Sequence, residues 1–188
     1  MADPEWLPQW NPLCRGTMTL DKSTERYRVL FVCTGNICRS PTAEGVFRTL
    51  VAVAGLNDRI EADSAGVQGY HIGDPPDPRA TAAAAARGYN LAGQSARRVA
   101  ASDFLAFDLI VGMDWGHVEH LQRALWKTPQ EHRRTERVCL LPGQHRPEGI
   151  EVPDPYYGGA GDFENALDLV EDGCKLLLEE LQGKSTHF

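Results

Sequence analysis

An almost continuous apolar run, YRVLFVC (Tyr27–Cys33), is followed by a glycine-containing loop and then by an amphipathic segment. A strand without polar alternation is typical of a parallel sheet, where helices cover both faces. The chain therefore has to supply helices and further strands around this one. The first strand also fixes where to look for function, because a tight loop leads directly from it into a helix.

The remainder of the chain alternates short apolar strands with helical segments. Strands are predicted at Ile60–Ser64, Asp108–Met113 and Arg137–Leu141. Helices are predicted after Ser40 (as N-cap, with Pro41 at the first helical position), at Arg79–Arg87, between the third and fourth strands, and at Asp162–Gln182. This order predicts an α/β fold with a four-stranded parallel sheet and helices on both faces.

Length and composition indicate one soluble domain. The 188 residues suit a single domain, predicted here at residues 27–182, between a disordered tail (1–26) and a short C-terminal tail (183–188). The net charge of -7 argues against nucleic acid or an anionic membrane as partner. Five scattered cysteines without a signal-like segment favour free thiols in a reducing cytoplasm. We expect a monomer.

The loop after the first strand has the composition of an anion site. Its sequence is VCTGNICRSPTAE, with the candidate binding residues Cys33, Thr34, Gly35, Asn36, Ile37, Cys38, Arg39 and Ser40. Backbone N–H groups and a helix N-terminus point at one spot in such a loop, and Gly35 is expected to supply the unusual φ of its curl. A thiol placed there is stabilised as the thiolate, which can attack phosphorus. Arg39 can clamp two phosphate oxygens, and Ser40 can donate a hydrogen bond to the thiolate.

Two other interpretations of this loop were weighed. Zinc binding by Cys33 and Cys38 would need two further ligands, and the pair His117 and His120 stands alone on a helix. A purely structural loop would not explain why Cys33, unlike Cys14, Cys139 or Cys174, has an arginine six residues later. The nucleotide pattern G-x-x-x-x-G-K-[ST] is absent. We therefore predict a phosphate cradle that uses neither metal nor cofactor.

Hydrolysis of a phosphate ester also needs a proton donor for the leaving oxygen, worth ~10²–10⁴ in rate. The candidate is Asp154 in VPDPYYGG, where flanking prolines stiffen the backbone. Tyr156 and Tyr157 follow it and would supply an aromatic wall. A plain turn with surface tyrosines is the alternative for this segment taken alone.

These motifs together resemble the low-molecular-weight protein tyrosine phosphatase family. VCTGNICRSPTAE resembles its phosphate loop, DSAGVQGYHIGDPPDPRA (Asp63–Ala80) its substrate-wall loop and DPYYGG its acid loop, over about Tyr27 to Leu181. The resemblance implies a flavodoxin-like sheet and a phosphocysteine mechanism with Cys33 as nucleophile, Arg39 as clamp and Asp154 as acid, then base. It also implies that Asn36, Ser40 and Ser64 lock the loop and that Tyr70 forms a wall opposite Tyr156.

The resemblance carries two further implications. Gln94 stands where many members have a histidine behind Asn36, which leaves the strength of that lock open. Members also carry the Cys33–Cys38 pair and are held to form a reversible disulfide with it, so we expect a redox-sensitive nucleophile; simple loop packing is the alternative for Cys38.

The expected substrate is a phosphotyrosine protein or another aryl phosphate. Arginine phosphatases resemble this loop but tend to carry a small polar residue at the position of Ile37. Arsenate reductases need two further cysteines close together, and Cys139 and Cys174 are far apart in the sequence. A phosphotyrosine-binding module without activity would lack the nucleophile or the acid, and both are present.

Overall fold

The computed structural model describes residues 26–129, 135, 137–143 and 146–183. The predicted tail of residues 1–26, except Arg26, lies outside the described residues, as does the predicted C-terminal tail after Gly183. The domain boundaries at these two places therefore stay predictions.

The sheet has five strands in the order β2-β1-β3-β4-β5. They are β1 (Tyr27–Cys33), β2 (Ile60–Gly66), β3 (Leu109–Gly112), β4 (Arg137–Gly143) and β5 (Arg146–Ile150). The four predicted strands are parallel, which confirms the α/β prediction. The fifth strand was not predicted. It pairs antiparallel to β4 at the sheet edge. Its sequence contains a proline and a glycine, which are uncommon inside strands and therefore do not indicate one.

Five helices accompany these strands in the described residues. They are α1 (Arg39–Val53), α2 (Pro78–Ala86), α3 (Asp103–Ala106), α4 (Trp115–Trp126) and α5 (Ala160–Leu181). Strand β1 shows why helices are needed on both faces. Val29, Phe31 and Cys33 pack into a core cluster with α1 and α5, while Leu30 and Val32 pack into a second cluster with α3 and α4.

The order of the strands alone indicates where a ligand would bind. The chain passes from β1 to β2 on one side of β1 and then continues to β3 on the other side. This reversal of direction is the switch point of a flavodoxin-like sheet. Ligands of open α/β sheets bind at the carboxyl ends of the strands beside such a point. Here that edge carries Cys33 at the end of β1 and Asp114 just after β3.

The start of α1 differs from the prediction. The helix begins at Arg39, and Cys38 occupies the N-cap position without a capping side chain. Ser40 is therefore inside the helix, where its hydroxyl serves the loop instead of capping. By contrast, α2 begins with a proline after Asp77, whose side chain caps it by accepting a hydrogen bond from the Arg79 N–H group.

Two other observations concern the chain as a whole. No helix in the described part of the chain is long and apolar enough to cross a membrane. Among the described residues, Cys33, Cys38 and Cys174 carry free thiols.

Candidate active site

The loop between β1 and α1 turns its carbonyl groups outward. Those of Cys33, Thr34 and Ile37 accept hydrogen bonds of 2.7–2.9 Å from backbone N–H groups of the segments outside the loop. Because C=O and the next N–H point in opposite directions across a trans peptide, the following N–H groups face the inside of the curl. The loop thus has the polarity of an anion cradle, and the N-terminus of α1 adds to it.

The left-handed residue of the curl is Asn36, with φ of 59°, and not Gly35 as the sequence suggested. Asparagine tolerates this region better than most residues. A Cβ at Gly35 would lie 3.0 Å from the His71 ring, so a side chain there would require the ring to move slightly. Gly66 at the end of β2 is tighter still, since a Cβ would lie 2.7 Å from the Thr34 carbonyl oxygen.

The sulfur of Cys33 receives two hydrogen bonds. The Asn36 N–H group donates to Sγ at 3.3 Å and the Ser40 hydroxyl donates at 3.0 Å. The same hydroxyl lies 3.2 Å from the Ala65 carbonyl oxygen, so its hydrogen can turn to the sulfur when the sulfur is charged. Two hydrogen-bond donors thus face the sulfur, one from the loop backbone and one from the first turn of α1.

A buried chain of polar groups fixes the loop from behind. The Asn36 amide donates to Ser40 Oγ at 3.0 Å and to Ser64 Oγ at 2.9 Å, and Ser64 donates to Glu44 Oε2 at 2.7 Å. The Asn36 carbonyl oxygen accepts from the backbone N–H of Arg97 at 2.9 Å. Burial raises the pKa of Glu44, against the hydrogen bond from Ser64, which lowers it. Ser64 thus lies where the resemblance implied.

Gln94 takes a different place from the histidine that the resemblance suggested. Its amide donates to the Pro41 carbonyl at 3.1 Å, in the first turn of α1. Among the described residues, the side-chain hydrogen bonds of Asn36 join it to Ser40, Ser64 and Arg97. The lock on Asn36 is therefore complete without Gln94.

Arg39 crosses the site with its side chain only 4% exposed. One nitrogen, Nη1, donates to Asp114 Oδ2 at 2.9 Å and to the Val152 carbonyl at 3.1 Å. The other, Nη2, donates to Asp154 Oδ2 at 2.7 Å and to Thr34 Oγ1 at 3.2 Å. Arg39 and Asp154 are 115 residues apart in the chain, and the fold brings them into contact at the predicted place.

Asp114 and His117 are site residues that the sequence analysis did not select. Asp114 caps α4 by accepting from the His117 N–H group, and it faces Arg39 on one side and the His117 ring on the other. Burial would raise the pKa of Asp114, but hydrogen bonds from His117 and the charges of His117 and Arg39 hold it well below its usual range. Asp114 is therefore ionised and fixes the arginine. Asp114 could have been identified from its position shortly after β3, at the edge of the sheet where β1 ends with Cys33.

The acid segment is held by a stacked arginine. Tyr156 packs edge-on against Tyr157, with ring centroids 5.0 Å apart. The Arg79 guanidinium lies 5.7 Å from the centre of the Tyr156 ring and 4.6 Å from that of Phe163. Asp154 stands at the start of this segment and accepts a hydrogen bond from the Tyr156 N–H group at 3.2 Å.

The facing wall is built differently from the expectation. Tyr70 is 81% exposed at the rim. The ring that approaches Tyr156 from this loop is His71, at 6.3 Å between centroids, and His71 is held by Asp74 at 3.1 Å. Tyr157 is 95% exposed and lies outside the pair. Tyr156 and His71 thus flank the entrance, with Tyr70 further out.

Comparison with known proteins decides the family. Residues 28–187 match the family model described as low molecular weight phosphotyrosine protein phosphatase. The chain belongs to this family. A low molecular weight protein-tyrosine-phosphatase from Streptomyces coelicolor is 45% identical over 166 residues, covering 85% of this chain and 98% of that one. The chain is accordingly an enzyme of the hydrolase class.

Solved structures agree with the family assignment. The crystal structure of YfkJ from Bacillus subtilis superposes with a TM-score of 0.73 at 37% identity, covering 86% of this chain and 98% of that one. A drosophila arginine phosphatase, DARP, also superposes with a TM-score of 0.73, at 29% identity, over 85% of this chain and 99% of that one. The fold of this phosphatase is therefore shared by relatives whose names state different substrates.

Cys38 and Ile37 complete the phosphatase loop beneath its surface. Ile37 is 8% and Cys38 6% exposed, and both pack against Ala80 and Phe163. Burial, together with the negative charge of Asp77, raises the pKa of Cys38 to about 12. A thiol of that kind is protonated at neutral pH and reacts slowly with an oxidised partner. Disulfide protection of Cys33 by Cys38 stays a prediction.

Proposed function

We propose that this phosphatase hydrolyses phosphotyrosine and related aryl phosphates through a phosphocysteine at Cys33. The observation that carries the proposal is the meeting of three groups at one edge of the sheet. Cys33 Sγ accepts hydrogen bonds from the Asn36 N–H group and the Ser40 hydroxyl, Arg39 lies across the cradle, and Asp154 contacts Arg39 at 2.7 Å. Nucleophile, phosphate clamp and proton donor are thus within reach of one phosphate group.

In the first step the phosphoryl group moves to sulfur. A lone pair of the Cys33 thiolate forms the S–P bond while the bond between phosphorus and the phenolic oxygen breaks. The leaving oxygen takes the proton of Asp154, which becomes a carboxylate. Arg39 and the inward N–H groups bind the equatorial oxygens, whose charge is spread in the transition state.

In the second step water releases phosphate. The Asp154 carboxylate takes a proton from water, the water oxygen bonds to phosphorus, and the electrons of the S–P bond return to sulfur. Ser40 assists this departure, because its hydroxyl lies 3.0 Å from Sγ and can donate to the thiolate that forms. The enzyme is then back in its initial state, with protons and charge balanced.

The contacts of Arg39 suggest how substrate binding prepares the acid. Its Nη1 side is held by Asp114 and Val152, while its Nη2 side is paired with Asp154. An incoming phosphate competes with Asp154 for Nη2. Taking over this nitrogen frees the carboxyl group from its contact with Arg39, so that it can turn towards the leaving oxygen of the bound ester.

An assay with p-nitrophenyl phosphate tests the proposed chemistry. We expect turnover that vanadate inhibits, because vanadate can occupy the cradle as phosphate does, and that a chelator leaves unchanged. Dependence on an added divalent metal, or insensitivity to vanadate, would contradict a cysteine mechanism.

Replacing Arg39 with lysine should lower kcat strongly. Lysine keeps the positive charge, but it cannot span Asp114 and a phosphate group with a planar fork. We expect a loss of roughly 10³-fold, the range of an arginine that stabilises phosphoryl transfer. Arg48→Lys is the matched control, since Arg48 is 61% exposed and pairs with Glu44 away from the cradle entrance. If the Arg39→Lys enzyme kept most of its rate, the clamp role would be wrong.

Phosphotyrosine peptides should exceed phosphoserine peptides in kcat/KM by orders of magnitude. Tyr156 and His71, whose ring centroids are 6.3 Å apart, offer ring surfaces beside the cradle against which a flat ring can pack, and Tyr70 is exposed on the same loop as His71. Alanine at Tyr156 should reduce the preference, and alanine at Tyr70 should reduce it less. Steady-state kinetics on a matched peptide pair measures this. An unchanged preference in both variants would place the discrimination elsewhere in the cleft.

Hydrolysis of phosphoarginine is the second candidate function. It is favoured by the superposition with the drosophila arginine phosphatase, which shows that the fold alone does not select the substrate. The apolar Ile37 beneath the cradle favours an aryl ring over a guanidinium. We expect weak phosphoarginine activity that rises in Ile37→Thr. Phosphoarginine activity of the unmodified enzyme above its phosphotyrosine activity would make this the principal function.

A further inference from the structure

We propose that His117 is a positioning residue whose proton decides whether the Thr34 hydroxyl can donate to a bound phosphate. This inference rests on the proposed function, because it concerns the same cradle. The observation behind it is a closed ring of four side chains that joins the phosphate loop to the first turn of α4.

The ring can be followed contact by contact. Thr34 Oγ1 lies 3.0 Å from His117 Nε2, and His117 Nδ1 lies 2.9 Å from Asp114 Oδ1. Asp114 Oδ2 accepts from Arg39 Nη1 at 2.9 Å, and Arg39 Nη2 donates back to Thr34 Oγ1 at 3.2 Å. The contact between His117 Nδ1 and Asp114 Oδ1 is short, but its angle is outside that of a well-directed hydrogen bond. His117 is 4% exposed, and solvent cannot replace these partners.

Local sequence explains why the histidine reaches the loop. Asp114 caps α4 through the His117 N–H group at 2.9 Å, which fixes the first helical turn. Gly112 at the end of β3 lets this turn approach, since a Cβ there would lie 2.9 Å from Val118 and 3.2 Å from His117. The imidazole is therefore held in place by backbone structure and not by the ring contacts alone.

The hydroxyl of Thr34 has one hydrogen and two acceptor positions. It already accepts from Arg39 Nη2, the nitrogen that also contacts Asp154 and that a phosphate would take. When His117 is protonated, its Nε2 donates a hydrogen bond to the Thr34 hydroxyl, which then accepts two hydrogen bonds. The hydroxyl hydrogen is then free to be donated to the phosphate. Against a neutral imidazole protonated at Nδ1, Thr34 gives its hydrogen to Nε2 and presents only lone pairs to the anion.

The charged and titratable groups around His117 come from several elements. Asp114 adjoins it at the start of α4, Arg39 approaches from α1, and Asp154 is reached through Arg39. The pKa of His120, one turn further along α4, is lowered by burial and by the positive charges of Arg98 and His117. Asp114 is the anion nearest to the imidazole, with its Oδ1 2.9 Å from His117 Nδ1.

Two substitutions separate this role from simple packing. In His117→Gln the amide nitrogen stands at the position of Nε2 and donates at every pH, whereas His117→Phe keeps the ring shape without any donor. We measure the affinity for inorganic phosphate by competitive inhibition from mildly acidic to mildly alkaline pH. Comparing each variant with the unmodified enzyme at the same pH cancels the titration of phosphate itself. His120→Gln is the matched control, because His120 is exposed on the same helix.

The expected results are specific. Thr34→Val should weaken phosphate binding roughly tenfold or more at mildly acidic pH, as for a lost hydrogen bond to a charged group. The affinity of the unmodified enzyme relative to His117→Gln should fall as the pH rises, because only the imidazole loses its donor. In His117→Phe no ring nitrogen competes for the Thr34 hydrogen, so the phosphate affinity of this variant relative to His117→Gln should stay constant with pH.

Other results would overturn the inference. An affinity of the unmodified enzyme relative to His117→Gln that is constant with pH, the same fall with pH in folded His117→Phe, or unchanged phosphate binding by Thr34→Val would each do so. Circular dichroism establishes folding, and if His117→Phe is unfolded, the pH comparison with His117→Gln still decides. Failure of the proposed function is distinguishable, since the unmodified enzyme would then neither hydrolyse p-nitrophenyl phosphate nor bind phosphate competitively.

Discussion

Replacing Cys33 with serine should abolish turnover while leaving the cradle able to bind an anion. Serine keeps a small polar side chain, but its hydroxyl is not ionised by two hydrogen bonds and a helix N-terminus as a thiol is. The loss in kcat should be on the order of 10⁵-fold or more, comparable with removal of the nucleophile in a serine hydrolase. Inorganic phosphate should still bind, since Arg39 and the inward N–H groups remain.

Steady-state kinetics and phosphate titration of Cys33→Ser measure the two parts of this prediction. Cys174→Ser is the matched control: Cys174 is also a buried free thiol, but it packs in the core against the Ala43 carbonyl, away from the cradle. It should keep the rate. Substantial turnover by Cys33→Ser would remove Cys33 from the role of nucleophile.

Replacing Asp154 with alanine should slow hydrolysis of phenyl phosphate by ~10²–10⁴, the usual contribution of general acid–base catalysis. The effect on p-nitrophenyl phosphate should be smaller in the first step, because its leaving oxygen needs little protonation. At the same time the affinity for inorganic phosphate should rise. Asp154 pairs with Arg39 Nη2 at 2.7 Å, so its removal takes away both a competitor for that nitrogen and a nearby negative charge.

Asp154→Asn separates the two effects of this substitution. It keeps the size and removes the charge, so phosphate binding should rise as in Asp154→Ala while catalysis stays low. Equal rate losses on both substrates, together with weakened phosphate binding, would show that Asp154 supports the loop instead of transferring a proton.

The parts of this site that sequence could predict are those in one short segment. Cys33, Arg39 and Ser40 lie within eight residues, between a buried strand and a helix, and their chemistry follows from that spacing. Asp154 was predictable because prolines stiffen its neighbourhood and its motif resembles a known acid loop. The contact between Asp154 and Arg39 then needed the fold.

The residues that sequence missed acquire their role only through tertiary contacts. Asp114 and His117 follow β3, and nothing in their own segment shows that β3 pairs directly with β1. His71 was passed over for Tyr70 because an aromatic ring was expected, yet the backbone turns the histidine towards Tyr156. Likewise, Ser40 has the composition of an N-cap, but the helix begins earlier and the hydroxyl binds sulfur. Short-range propensity was overridden by the geometry of the loop.

The phosphocysteine at Cys33 is the central claim, and trapping it is the most direct measurement. The Asp154→Ala enzyme should form it readily from p-nitrophenyl phosphate and hydrolyse it slowly, because the base for water is missing. After rapid acid quenching, peptide mass spectrometry should find one added phosphoryl group on the peptide that contains Cys33, and none when Cys33 is also replaced by serine. Burst release of p-nitrophenol without a phosphorylated Cys33 peptide, or a phosphoryl group on another residue, would contradict the account.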